Sequence, residues 1–164
     1  MDVTSWLNAS VGSSPPRYAT VLRFAFAALL IVSALGKLLD NRGFAEVLRT
    51  YEILPESITL VAALVVSLAE LALGLALVVG VHLVQAAFLT LFFHLGYIAW
   101  LALAYLRGLD IPNCGCFGVF LARPLTGWTF VEDGFLVLTA LLFVRGVAGV
   151  AVPAAGEVHG SPTR

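Results

Sequence analysis

The stretch LALGLALVVGVHLVQAAFLTLFFHLGYIAWLALAYL, residues 71–106, contains no aspartate, glutamate, lysine or arginine. As one helix it would be about 54 Å long, against a hydrocarbon core of about 30 Å. It is too long for a single membrane crossing, and Gly80-Val81-His82 supplies a place to turn. The stretch therefore predicts a hairpin of two spans, about 57–80 and 83–106. Ala72, Ala76 and Gly80 recur every four residues, a small-residue stripe suited to close helix packing.

Working outward, the run from Arg17 to Leu39 is a further span, with Arg23 and Lys37 near its ends. They lie about 21 Å apart along a helix, so each can snorkel toward its own interface. Residues 42–54 differ: Phe44, Val47, Leu48 and Tyr51 recur at helical spacing, and Arg42, Glu46, Arg49 and Glu52 take the other face. This predicts a short amphipathic interfacial helix, capped by Asp40 or Asn41, stopped by Pro55, and able to cover the loop that follows the third span. A fourth span is expected at about 128–150, with Glu132-Asp133 at its start and Arg145 toward its end. The expected fold is thus an all-α membrane protein, a four-transmembrane-helix bundle over residues 17–152. An N-terminal tail (1–16) and a disordered C-terminal tail (153–164) flank it, and both termini lie on one side. The N-terminus has Asp2 and no early basic cluster, so the first span reads as uncleaved.

Composition agrees. Apolar residues make up 60% of the chain and charged ones 12%, and the mean hydropathy is +1.00. These values belong to proteins immersed in a lipid bilayer. A net charge of −1 offers no basic field for nucleic acid. The basic residues do not orient the bundle. One side has Arg17, Arg23, Arg145 and Arg164, and the other has Lys37, Arg42, Arg49, Arg107 and Arg123.

The chemistry concentrates in Asn113-Cys114-Gly115-Cys116-Phe117-Gly118, which holds both cysteines of the chain. A bond between thiols two residues apart closes a very small ring, so the loop must bend. Gly115 removes the Cβ clash of that bend, while Gly118 and Asn113 allow left-handed geometry beside it. Such a strained bond exchanges more readily than it staples. Three readings stay open: a redox-active pair, idle thiols in a tight turn, or a structural disulfide. Arg107 and Asp110 flank the loop, and a nearby cation lowers a thiol pKa; both also suit solvated loop positions. Two cysteines and three histidines, none near the pair in sequence, give no metal site. No phosphate loop, nucleophile elbow or metalloprotease helix is present.

Within the spans, Glu70 and His94 each lie 12 residues from His82, hence about 18 Å deep on neighbouring helices. At one level they can share a proton, and intramembrane ionisable groups default to function. The alternative is that Glu70 pairs with Lys37 or Arg23 to hold helices together. Tyr97, Trp100, Tyr105 and Trp128 suit aromatic belts or helix packing.

These features resemble the MauE branch of the DoxX-like family of redox-associated four-helix membrane proteins. The resemblance rests on Arg23, Gly36-Lys37, Phe44 to Tyr51 with Leu54-Pro55, Glu70-Leu71 and Gly74. It continues in Arg107-Gly108, Cys114-Gly115-Cys116-Phe117-Gly118 and Trp128, covering about residues 17–150. It implies a bacterial inner-membrane protein with its cysteine loop on the outer face. It also implies a thioredoxin-like extracytoplasmic partner and a part in maturing disulfide-containing proteins such as methylamine dehydrogenase. Two rivals stand beside thiol–disulfide exchange. One is a quinone-linked membrane oxidoreductase subunit, with Glu70 and His94 near a lipid-soluble acceptor. The other is a non-enzymatic membrane scaffold whose cysteines are incidental.

Overall fold

The structure, a computed structural model, describes residues 15–151. Most of the expected N-terminal tail and the whole expected C-terminal tail lie outside the described residues. Five helices follow one another: α1 (Arg17–Leu39), α2 (Asn41–Arg49), α3 (Glu56–Val79), α4 (Leu83–Leu106) and α5 (Gly127–Ala151). No strand occurs among the described residues. Helices α1, α3 and α4 are long and apolar enough to cross a membrane. Helix α5 has 25 residues and carries Glu132 and Asp133 within its first two turns.

Local chemistry sets these boundaries. Pro16 precedes α1, where its missing N–H costs nothing because the first turn has no acceptor for it. Asp40 ends α1 and caps α2, its Oδ1 accepting the Gly43 N–H at 2.8 Å. The expected hairpin turn is present. Gly80 ends α3 with φ 84° and donates to the Ala76 carbonyl at 2.8 Å, and His82 takes φ 48° before α4. The amphipathic helix is shorter than expected, stopping at Arg49 rather than running to Pro55. Thr50 Oγ1 donates to the Val47 carbonyl at 2.7 Å. Glu52 then turns left-handed, with φ 52°, so the backbone is redirected before proline can act.

Helix α1 packs chiefly on α3, and α4 on α5, while the α3–α4 contact is slender. Lipid tails are as apolar as leucine, so packing within the spans depends on close approach rather than on escape from water. That approach occurs at Gly74, where an added Cβ would lie 2.7 Å from Ile31 Cγ1 and 3.3 Å from the Ala27 carbonyl. The expected stripe is therefore displaced: Ala72 is exposed, and the face toward α1 runs through Ser67, Glu70, Gly74 and Leu77. Two buried clusters result. One joins α1, α3, α4 and α5 around Phe26, Leu30, Leu77 and Phe143. The other gathers Phe44, Val47 and Tyr51 with Leu101, Ile111 and Cys114.

Candidate functional site

The cysteine loop is held from three directions. Two antiparallel backbone bonds pin its base, from Cys114 N–H to the Arg123 carbonyl at 2.8 Å and from Leu125 N–H to the Ile111 carbonyl at 2.9 Å. Asn113 builds the turn with its side chain: Oδ1 accepts the Gly115 N–H at 2.9 Å, and Nδ2 donates to the Gly118 carbonyl at 3.0 Å. Gly115 and Gly118 are both left-handed, with φ 76° and 69°, a region costly for any side chain with a Cβ. Their backbones also lie against neighbours. A Cβ on Gly115 would be 3.0 Å from Val47 Cγ1, and one on Gly118 would be 2.6 Å from the Gly36 carbonyl. Helix α2 thus covers the cysteines on one side while α1 supports them at Gly36. Tyr51, fully buried, donates its hydroxyl to the Cys114 carbonyl at 2.9 Å.

Cys114 and Cys116 are free thiols with their sulfurs 3.1 Å apart, against about 2.05 Å for a covalent S–S bond. Only one sulfur can hold the shared proton. Either thiol can donate in this geometry; with Cys114 as the acceptor, that bond, the Cys116 backbone N–H and the Arg123 charge outweigh burial to bring Cys114 down to about 6. The same hydrogen bond, reinforced by burial, raises Cys116 strongly. The pair is therefore a thiolate and a thiol sharing one proton.

Beneath the loop lies a buried ion pair. Lys37 Nζ is 2.7 and 2.8 Å from the two carboxylate oxygens of Glu70, and both side chains are essentially inaccessible. Lys37 also donates to Ser33 Oγ and Tyr97 Oη, each at 3.0 Å, and Tyr97 donates its hydroxyl to Glu70. The ammonium approaches the Tyr97 ring to 4.9 Å and the Phe44 ring to 5.3 Å. Ser33 Oγ is 2.7 Å from the Cys116 carbonyl and 3.0 Å from Glu70 Oε2. Its hydroxyl can donate to either, linking the Cys116 carbonyl to the carboxylate. The loop and the intramembrane charges, read separately in the sequence, are thus one hydrogen-bonded assembly.

Several expected placements change. Lys37 does not snorkel outward; Glu70 faces it across α1 and α3, and burial without that partner would be prohibitive. Of the two readings of Glu70, the pairing with Lys37 is the one present, joined by Tyr97 and Ser33, and His94 takes no part. His94 Nδ1 donates to the Thr90 carbonyl at 2.7 Å, and its ring meets Phe26 edge-on. Arg23 lies at the opposite end of α1, donating to the Leu77 and Val78 carbonyls at 2.6 and 2.8 Å and completing the end of α3. Arg107 donates to the Tyr51 carbonyl at 2.9 Å and pairs with Glu52, so the cations that bear on the thiols are Arg123 at Cys114 and Lys37 at Cys116. Phe117 contributes its backbone, pressed against Gly36. Ser33, Tyr51 and Tyr97 belong to the site without having been singled out for it. The one signal for them was polar residues on otherwise apolar faces, Ser33 one turn before Lys37. Among the described residues, no group of three His, Cys, Asp or Glu side chains gathers to hold a metal.

The fold and site define an all-helical membrane protein with a two-cysteine loop hydrogen-bonded to a buried lysine–glutamate pair. The family model described as methylamine utilisation protein MauE matches residues 16–146. Methylamine utilization protein MauE of Paracoccus denitrificans is 37% identical over 140 residues, covering 85% of this chain and 74% of that protein. The chain belongs to the MauE family. No solved structure matches it.

Proposed function

We propose that this protein is a membrane thiol–disulfide component in which Cys114 and Cys116 cycle between dithiol and disulfide. The observation that carries this reading is the sulfur pair at 3.1 Å, and the hydrogen bond that favours a thiolate at Cys114 supports it. Idle thiols need neither feature. In the exchange, the Cys114 thiolate attacks a partner disulfide and forms a mixed disulfide, expelling one partner thiolate. Cys116 then attacks Cys114 Sγ, closing the intramolecular bond and releasing the second partner thiolate. Two electrons pass to the partner, and the reverse sequence oxidises it. Forming the mixed disulfide removes the Cys114 charge that held the Cys116 proton, so the resolving thiol is freed when it is needed.

The partner is a thioredoxin-like protein on the extracytoplasmic side of a bacterial inner membrane. Four helices cross that membrane, α5 being the fourth, and α2 lies at the interface over the loop. The names of the matched family and of the Paracoccus relative place them in methylamine utilisation. The substrate class is accordingly a disulfide-containing protein of that system, methylamine dehydrogenase among them. Trapping tests this: Cys116→Ala should accumulate a mixed disulfide through Cys114, resolved on non-reducing gels and identified by mass spectrometry. A Cys114→Ser, Cys116→Ser double variant that still complements a deletion would make the protein a scaffold instead.

A further inference from the structure

A cavity of about 270 Å³ opens between α3 and α4 and runs from α2 to the cysteine loop. It exists because those two helices diverge beyond their turn, each packing on a different neighbour. Its wall is almost wholly apolar, and Phe92, 70% exposed, stands at its outer side. Both sulfur-bearing residues line it, as do Tyr97 and Trp100. Trp100 Nε1–H is buried and has no hydrogen-bond partner, although such a donor ordinarily finds one. An apolar cavity of about 150 Å³ holds a benzene ring, so this one takes a single substituted ring with its tail outside.

We propose that this cavity is the site of a lipid-soluble quinone that accepts the electrons of the Cys114–Cys116 dithiol. The inference rests on the redox reading of those cysteines. The cavity's walls admit a ligand from the bilayer rather than from water. The two cysteines in its wall give a quinone ring an electron donor, for which an acyl chain has no use. The step balances within the pair: the S–S bond forms, and two electrons reduce the quinone to the hydroquinone. Its two oxygens gain one proton from Cys116 and one from solvent, replacing the proton Cys114 had already released. The protein is thereby reoxidised after each dithiol-forming turnover without a second cysteine pair.

The test uses full-length protein in nanodiscs, reduced and freed of reductant, with decylubiquinone as the probe. One hydroquinone should appear, by absorbance, for every two thiols lost. Gly96 lines the cavity, and a Cβ there meets nothing within 4 Å, so Gly96→Leu fills the site without crowding the fold. It should slow quinone reduction about tenfold or more and leave oxidation by diamide unchanged. Because that variant can still misfold, binding is read separately in a Cys114→Ser, Cys116→Ser protein carrying Trp100 as its sole tryptophan. Decylubiquinone should quench its fluorescence saturably, and an equal concentration of decanol should not relieve the quenching. Thiols that diamide joins but decylubiquinone leaves untouched would overturn the quinone site and spare the exchange reading. Quenching relieved by decanol would make the occupant a lipid tail. If diamide cannot join the thiols either, both readings fall.

Discussion

Cys114 and Cys116 differ because one proton serves two sulfurs. Cys114, drawn down to about 6, should be a thiolate above that pH and lose its charge as the pH falls through it. Iodoacetamide labelling followed by mass spectrometry should therefore rise through about pH 6 at Cys114, well below the ordinary thiol midpoint of about 8.5. Cys116→Ala removes the hydrogen-bond donor and should move that midpoint upward; an unmoved midpoint would assign the shift to Arg123 or the backbone. Lys37 and Glu70 support a second prediction. Lys37→Met strands a buried carboxylate and should cost about 3–5 kcal/mol, read by thermal unfolding in detergent, whereas Lys37→Met with Glu70→Gln should recover much of it. The sequence made the cysteines, Glu70 and Lys37 visible as chemistry in an apolar chain. It offered both His94 and Lys37 as partners of Glu70 without deciding between them. Counting from His82 placed Glu70 level with His94, but depth carries no direction, and Tyr97, one turn further along α4, points at the carboxylate instead.

The cysteine loop keeps its geometry through backbone contact between secondary elements, chiefly where α1 meets it at Gly36. A Cβ at Gly36 would lie 2.5 Å from the Phe117 carbonyl oxygen. Neither backbone can yield locally, so Gly36→Ala should push the loop away and cost about 1–3 kcal/mol. Gly118→Ala adds left-handed strain to a similar clash and should be worse. Gly108→Ala is the control: its φ is 68°, yet its Cβ would meet open space, leaving a strain of about 1–2 kcal/mol. Alkylation of Cys116 should accelerate in the first two variants and stay unchanged in the third. Helices and turns were legible at this scale because apolar length, proline and left-handed glycine act over a few residues. The amphipathic face of α2 was legible too. Its early end was not, since only the backbone reversal at Glu52 and the Arg107 bonds beyond it explain why the chain leaves the helix before Pro55.

For the whole molecule, the open question is which way the assembly faces, and charge gives almost equal numbers of basic residues on each side. The structure pairs most of the loop-side residues without changing those numbers. Lys37 is neutralised inside the bundle by Glu70, Arg49 is paired with Glu46 and Glu56, and Arg107 and Arg123 have carboxylate partners in Glu52 and Glu132. Of the five basic residues on the loop side, four thus have acidic partners in the fold, but the positive-inside bias counts Lys and Arg rather than net charge, so the tally still orients nothing. The proposed exchange with an extracytoplasmic partner requires the loop outside. Reduced spheroplasts treated with a membrane-impermeant maleimide should then be labelled at Cys114 or Cys116 without lysis. A fluorescent protein fused after Arg164 should glow in the cytoplasm if α5 is the proposed fourth span and carries the chain back across. Labelling only after lysis would reverse the orientation. External labelling with a dark, externally located fusion would mean that α5 lies along the membrane rather than through it, its Glu132 and Asp133 face turned to water beside the thiols.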